Sequence, residues 1–308
     1  MRLACIGECM VELREDAEGR FVRGFGGDTL NTAIYLARLG MRVDYVTALG
    51  GDPWSQEMVA AWVAEGVGTD LVIHCADAMP GLYVIQTDPR GERRFLYWRD
   101  SAAARRLFAL PETDTLLQKL TERRLIYYSG ISLSLYGTAG RARLFETLAA
   151  ARVRGATIAF DTNFRCRGWP DRGEARDVYA AALSSADLVF ASVEDLEMLY
   201  DVEWPDALVA TTAKAELVLK LPDLACCVRL PDGEEVQVDT RPAACVVDTT
   251  AAGDSFAAAY IAARVQGAAP REAAAAGHRL AGTVVGYPGA IIPRQAMPKA
   301  MPTLLGGA

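Results

Sequence analysis

Short, predominantly apolar runs alternate along the chain with longer stretches whose apolar positions recur at helical spacing. The runs at residues 3–6, 43–48, 125–129, 157–160, 188–191 and 217–219 are bounded by Gly, Asp or Ser. Strands of a parallel sheet read this way, because helices cover both faces of the sheet. Helical segments fill the gaps. One opens at Asp28, a residue of the capping type, and stops at Gly40. Another opens at Asp52-Pro53, a cap followed by proline in the first turn. A third covers about 138–154 and ends at Gly155. Residues 252–266 and 271–285 give two Ala-rich helices separated by Gly267-Ala268-Ala269-Pro270. The alternation predicts a doubly wound α/β fold with a mostly parallel sheet flanked by helices.

Two stretches break the pattern. Strand-like runs at 82–87 and 94–97 flank Asp88-Pro89-Arg90-Gly91, which is strong turn chemistry. Residues 12–26 read as extended, with a turn at Glu18-Gly19. Hairpins do not belong inside a parallel βαβ core. They are expected to form a small β-sheet lid, its segments at about 10–26 and 80–100 inserted in a single domain spanning residues 1–308. A lid over an active site and an oligomer contact are both roles for such a sheet. Its open edges point to a homo-oligomer.

Composition narrows the class. Apolar residues make up 51% and charged residues 23%, the balance of a folded enzyme. Lys and Arg number 32 against 39 Asp and Glu, a net charge of −7 that argues against a nucleic-acid partner. The 7 cysteines include no CxxC pair and read as reduced thiols, with Cys5, Cys226 and Cys245 in strand-like runs. The two histidines, His74 and His278, lie far apart and speak against a His-based zinc site. The N-terminal MRLACIGECMVEL has no signal-peptide core, and no apolar run is long enough to span a bilayer. A cytoplasmic enzyme without a membrane partner is expected.

The strongest chemical signal is Asp248-Thr249-Thr250-Ala251-Ala252-Gly253-Asp254-Ser255-Phe256, which follows the strand-like run 245–247 and opens a helix. Small residues let a backbone approach a ligand closely. Unpaired first-turn amides and the helix dipole make an anion hole suited to phosphate. Asp254 sits in that first turn, where a carboxylate can take a proton from an attacking hydroxyl; a plain capping role is the competing reading. A second signal is Gly26-Gly27-Asp28 followed by Asn31, a close-approach turn with two side chains able to bond a polyol. A third is Tyr97-Trp98-Arg99 opposite Tyr83 on the hairpin; alternation puts Tyr97 and Arg99 on one face. A fourth is the string from Asp161 through Asn163, Arg165 and Arg167, just past a strand, where doubly wound folds bind ligands. Two arginines there suit an anion, either phosphate or carboxylate. No Walker loop, GxGxxG, HExxH or GxSxG occurs.

DTTAAGDSF resembles the C-terminal signature of the ribokinase/PfkB carbohydrate kinase family, and the segment from Gly26 to Asn31 resembles its N-terminal one. The strings IGECMVEL, FGGDTLNT, PGLY, YWR, SGISL and GAIIPRQAMP are similar to the bacterial 2-keto-3-deoxygluconate kinase branch of that family, in order over nearly the whole chain. The resemblance implies a ribokinase-like fold with a β lid. It implies transfer from ATP, with Mg2+, to the 6-hydroxyl of a sugar acid; another sugar, such as fructose or ribose, and a silent sugar sensor are the alternatives. By position it implies Asp254 as catalytic base and Ala251, Ala252 and Gly253 as the anion hole. It implies Gly27, Asp28, Asn31, Tyr83, Tyr97, Arg99 and Arg165 on the sugar, and Asn163, Arg165, Ser192, Lys220, Ala252 and Gly253 toward the nucleotide. The family's metal-linked Asn-x-x-Glu stands here as Ser192-Val193-Glu194-Asp195, making Asp195 the candidate metal residue. The family's glycines after Lys220 are missing in Leu221-Pro222-Asp223-Leu224-Ala225.

Overall fold

The computed structural model describes residues 1–15, 18–87, 93–201, 214–222 and 225–298. Thirteen strands are seen among them: β1 Arg2–Ile6, β2 Met10–Glu15, β3 Phe21–Gly26, β4 Arg42–Gly50, β5 Gly68–Cys75, β6 Leu82–Thr87, β7 Arg93–Trp98, β8 Leu125–Ser129, β9 Thr157–Asp161, β10 Leu188–Ser192, β11 Glu216–Lys220, β12 Ala225–Arg229 and β13 Glu235–Asp239. The α-helices are α1 Asp28–Arg38, α2 Pro53–Glu65, α3 Thr113–Leu120, α4 Gly130–Leu135, α5 Thr138–Val153, α6 Arg172–Ser185, α7 Val193–Tyr200, α8 Ala252–Val265 and α9 Pro270–Val284.

Nine strands form one sheet in the order β13-β12-β11-β10-β9-β8-β1-β4-β5. The run from β11 to β5 is parallel throughout, and β12 and β13 add an antiparallel edge. The interior strands explain the pattern in the sequence: β8 is buried at every position. Apolar cores fill both faces, one holding Phe160, Leu144 and Leu183, the other Tyr45, Trp62 and Tyr260. The strands β5 and β13 escape the simple reading because polar residues interrupt them, as at His74 and Gln237.

Helix punctuation follows the local chemistry. Asp52 caps α2 by accepting from the amides of Trp54 and Ser55, with Pro53 in the first turn. Gly40 and Gly155 close α1 and α5 at φ +85° and +86°, a left-handed backbone that favours glycine. Asp28 is not a cap: the capping position is Gly27, in extended backbone, and Asp28 is the first helical residue. The run 245–247 is not a strand. It is irregular, with Val246 and Val247 exposed, because Val247 and Asp248 both donate their amides to the Val285 carbonyl rather than to a neighbouring strand.

The second sheet has four strands in the order β3-β2-β6-β7. β2–β3 and β6–β7 are antiparallel, and β2 joins β6 in parallel. The extended stretch and the hairpin of the sequence therefore build one sheet from two distant segments. Gly19 takes the turn between β2 and β3 at φ +75°. The turn at Asp88-Pro89-Arg90-Gly91 lies outside the described residues.

Candidate active site

The registers of the large sheet bring particular chain ends together. Ser129 is level with Asp161, and Ser192 with Lys220, so the carboxyl ends of β8 to β11 form one rim. Ligands bind at that rim in open α/β sheets. The N-termini of α1 and α8 converge on the same place: the Asn31 amide donates to the Asp254 carboxylate at 2.8 Å, and the Thr32 hydroxyl reaches the Asp254 carbonyl at 3.3 Å. The small sheet lies over the rim. Between them is a cavity of 670 Å³, within the usual range for small-molecule sites.

Gly27, Asp28, Asn31, Tyr83, Tyr97, Asn163, Arg165, Ser192, Asp195, Lys220, Ala251, Ala252, Gly253 and Asp254 all line this cavity. Arg99 does not. It lies just beyond the end of β7 and forms an ion pair with the buried Glu8 carboxylate. The GAIIPR string also stays out of the wall. It braces the site from behind: Gly289 donates to Asp248, Tyr35 donates to the Ala290 carbonyl at 2.7 Å, and Arg38 holds the Ile292 carbonyl at 2.6 Å.

The phosphate-type corner is built by the loop before α8. Asp248 is buried and accepts from the Thr250 amide and hydroxyl at 2.9 and 2.6 Å. This holds Ala251 in a left-handed backbone at φ +61°, which turns the chain into the helix. The Ala252 amide is used within the turn, donating to the Thr249 carbonyl at 3.2 Å. The Gly253 and Asp254 amides follow in the first turn, where no intrahelical acceptor exists. The Lys220 ammonium lies beside them: a Cβ on Gly253 would stand 3.2 Å from its Nζ. Two backbone donors, a helix dipole and a cation thus meet where an anion can be held.

Asp254 is pushed well above the usual carboxylate range, first by burial and then by the nearby Asp28 charge; the Asn31 hydrogen bond and Lys220 pull the other way. Asp161 is raised for the same first reason, burial. It holds its neighbour in place by accepting from the Tyr127 hydroxyl at 3.1 Å and the Asn163 amide at 3.2 Å. Asn163 adopts φ +29°, uncommon for a residue with a side chain, and its amide donates to Asp28 at 2.8 Å. Strained backbone of this kind gathers at functional sites. Asp195 accepts from the Thr162 hydroxyl at 2.8 Å and pairs with Arg165 at 3.4 Å, while its amide donates to Ser192 Oγ. Arg165 is 59% exposed on the cavity side, so its guanidinium can meet a ligand as well as Asp195.

Two wall residues, Phe95 and Met198, stand in none of the strings the sequence singles out, while Asp161, Cys166, Glu194 and Thr250 stand in such strings without a role of their own. Asp161 carried a signal, since it ends a strand on the ligand side. Phe95 could have been found from alternation, since it shares a face with Tyr97. Phe95, Tyr97 and Tyr83 make an aromatic ceiling, with ring centroids 5.9 to 6.4 Å apart. Met198 gave no such signal.

No group of three or more His, Cys, Asp or Glu that could hold a metal occurs among the described residues. Mg2+ is often held by one or two carboxylates together with substrate phosphates and water. Asp195 and the exposed Glu194, both on the cavity wall, fit that mode.

A mostly parallel α/β sheet whose rim carries open helix-start amides beside a half-buried carboxylate, roofed by a second sheet, defines a ribokinase-like phosphotransferase. The chain belongs to the pfkB family of carbohydrate kinases, whose family model matches residues 1–297. It is 45% identical to a 2-dehydro-3-deoxygluconokinase of Dickeya dadantii over 306 residues, covering 96% of this chain and 98% of that one. It is 41% identical to the protein of the same name from Escherichia coli K12, with 96% and 99% covered. Among solved structures, a fructokinase with bound ATP from Xylella fastidiosa superposes with a TM-score of 0.82 at 24% identity, covering 96% of this chain and 95% of that one. A 2-dehydro-3-deoxygluconokinase from Thermotoga maritima superposes at 0.77 and 22%, with 95% and 96% covered.

Proposed function

We propose that this carbohydrate kinase transfers the γ-phosphate of ATP to the 6-hydroxyl of 2-keto-3-deoxygluconate, giving 2-keto-3-deoxy-6-phosphogluconate. The observation that carries the reading is Asp254: a half-buried carboxylate on the cavity wall, one residue past the open amide of Gly253, in a chain 45% identical to a kinase named for that sugar acid.

The residues divide the work. The acceptor hydroxyl lies against Asp254, which takes its proton as the bond to phosphorus forms. The Gly253 and Asp254 amides and the Lys220 ammonium hold the oxygens of the transferring group, where fixed donors in a water-poor site act most strongly. Asn31 and Asp28 bond the polyol, and Arg165 answers the carboxylate of the sugar acid. The tyrosine ceiling closes over the sugar and keeps water from the phosphoryl group. Asp195 and Glu194 would hold a bound Mg2+, which would supply charge neutralisation of the phosphates.

The same reading includes a homo-oligomer, since β3 and β7 are open edges and Phe21 and Trp98 on them are 53% and 60% exposed. It also includes the cytoplasm, where ATP is at hand; no described helix is long and apolar enough to cross a membrane.

A panel of 2-keto-3-deoxygluconate, its galactonate epimer, gluconate, fructose and ribose, followed by coupled ADP release, tests the proposal. The first should exceed fructose and ribose in kcat/KM by roughly 10⁴, the discrimination expected when a site built for a charged or hydrogen-bonding group is left unpaired. A preference for a neutral sugar, or no turnover with any, overturns it.

A further inference from the structure

Arg167, one of the two arginines read from the sequence as anion partners, lies outside the cavity wall, yet it touches the roof. It belongs to the short turn Cys166–Gly168 that follows β9, and so to the body of the molecule. Its guanidinium stands over the Tyr97 ring, 5.0 Å from the centroid, and its Nη1 reaches the Phe95 carbonyl at 3.4 Å. Both partners belong to β7, the outer strand of the small sheet. Its chain neighbours Arg165 and Cys166 line the cavity from the body side, as Tyr97 and Phe95 line it from the roof side.

The placement is what makes the contact informative. The small sheet is joined covalently to the body at one side only, where the chain crosses at residues 7–9, 26–27, 76–81 and 99–102. There Glu8 and Arg99 pair, and Ala103 donates its amide to the Met79 carbonyl. Arg167 adds to these crossings a contact made through side chains rather than through the chain itself, beside the cavity. Arginine suits this contact because its planar cation stacks on an aromatic face and still donates in the plane.

We propose that Arg167 is the latch of the lid: a positioning residue that holds the aromatic ceiling down over the cavity and so sets the balance between open and closed forms. The inference rests on the kinase reading for its link to turnover, but not for the motion itself. An exposed cation–π contact with one hydrogen bond changes such a balance by roughly fivefold to tenfold. A shift of that balance enters the apparent affinity of every sugar equally.

The test uses the full chain with Arg167→Ala and Arg167→Lys. Spin labels at position 22 in the lid and position 153 in the body, on a background with the exposed cysteines replaced, report the lid-to-body distance without any ligand. The latch predicts one narrow distance population in the parent, a broadened and longer one in Arg167→Ala, and partial recovery in Arg167→Lys. With sugars, Arg167→Ala should raise KM roughly fivefold to tenfold for acidic and neutral sugars alike, and increase ATP hydrolysis without sugar. Unchanged distances overturn the latch. So does a KM increase confined to sugar acids and abolished by salt, which would make Arg167 a charge contact for substrate. Broadened distances in a protein that phosphorylates no sugar leave the latch standing and sink the kinase reading instead.

Discussion

Asn31 donates its side-chain amide to Asp254 at 2.8 Å, tying the start of α1 to the start of α8 across 223 residues of sequence. The bond fixes one carboxylate oxygen and leaves the other for a ligand. It also lowers the proton affinity of Asp254 against the stronger effects of burial and of Asp28. The Oδ1 of Asn31 is itself buried without a partner, an acceptor left ready for a hydroxyl.

Asp254→Asn should lower kcat by roughly 10²–10⁴, the range for loss of a general base. Stability should move the other way. The folded protein holds the Asp254 proton more tightly than the unfolded chain does, so the contribution of this group is full below the unfolded pKa and is lost as pH rises through the folded one. Neutral pH lies between the unfolded and folded values, so much of that contribution is already lost there, and Asn removes the dependence altogether. Coupled kinase assays and thermal melts at pH 7 should show an inactive variant with an equal or higher Tm.

The acid limb of kcat/KM should report the raised Asp254 group. Activity is expected to fall as pH drops through an apparent pKa above the ordinary carboxylate value of about 4. Asp28→Asn removes the largest nearby charge that raises it, and should move the limb to lower pH. A limb that stays in place in Asp28→Asn counts against the electrostatic account of the site.

Arg99→Ala should destabilise the whole protein, because it leaves the Glu8 charge buried and unpaired. Breaking a buried pair from one side costs about 3–5 kcal/mol. Urea unfolding should show the loss, and Glu8→Gln in the same chain should restore much of it. A stable Arg99→Ala variant with impaired turnover would instead give Arg99 the substrate role implied by the family resemblance.

Gly27→Ala tests the tight entry into α1. A Cβ there would fall 2.1 Å from the Glu8 carbonyl oxygen, a backbone atom that cannot swing aside. Overpacking of this kind costs about 1–3 kcal/mol. The variant should melt earlier and bind sugar more weakly.

Much of this was readable from the chain. The parallel core showed itself because its strands are buried on both faces and so are apolar along their length. Helix ends were legible where Asp52, Gly40 and Gly155 carry specific backbone chemistry. The loop before α8 was legible because its conformation is local, a left-handed residue and open amides at a helix start. What the sequence did not disclose depends on contacts made far along the chain. Arg99 alternates with Tyr97 in sequence, but β7 ends at Trp98 and a buried acid 91 residues away captures the arginine. The run 245–247 is apolar without being a strand, since its amides find Val285 rather than a sheet edge. The string from Gly289 to Ile292 is among those that resemble the sugar-acid branch, yet it stays out of the cavity wall, because a string shared within a branch does not say which of its residues the ligand meets.

The small sheet is stitched to the body by four separate passages of backbone, and two of them are packed so closely that Gly27 and Gly81 have no room for a methyl group. A flap hung on one strand could peel or curl. A panel held by four threads along a single margin can only tilt as a plate, opening widest at the far rim. Traffic of sugar in and product out is thereby confined to one doorway.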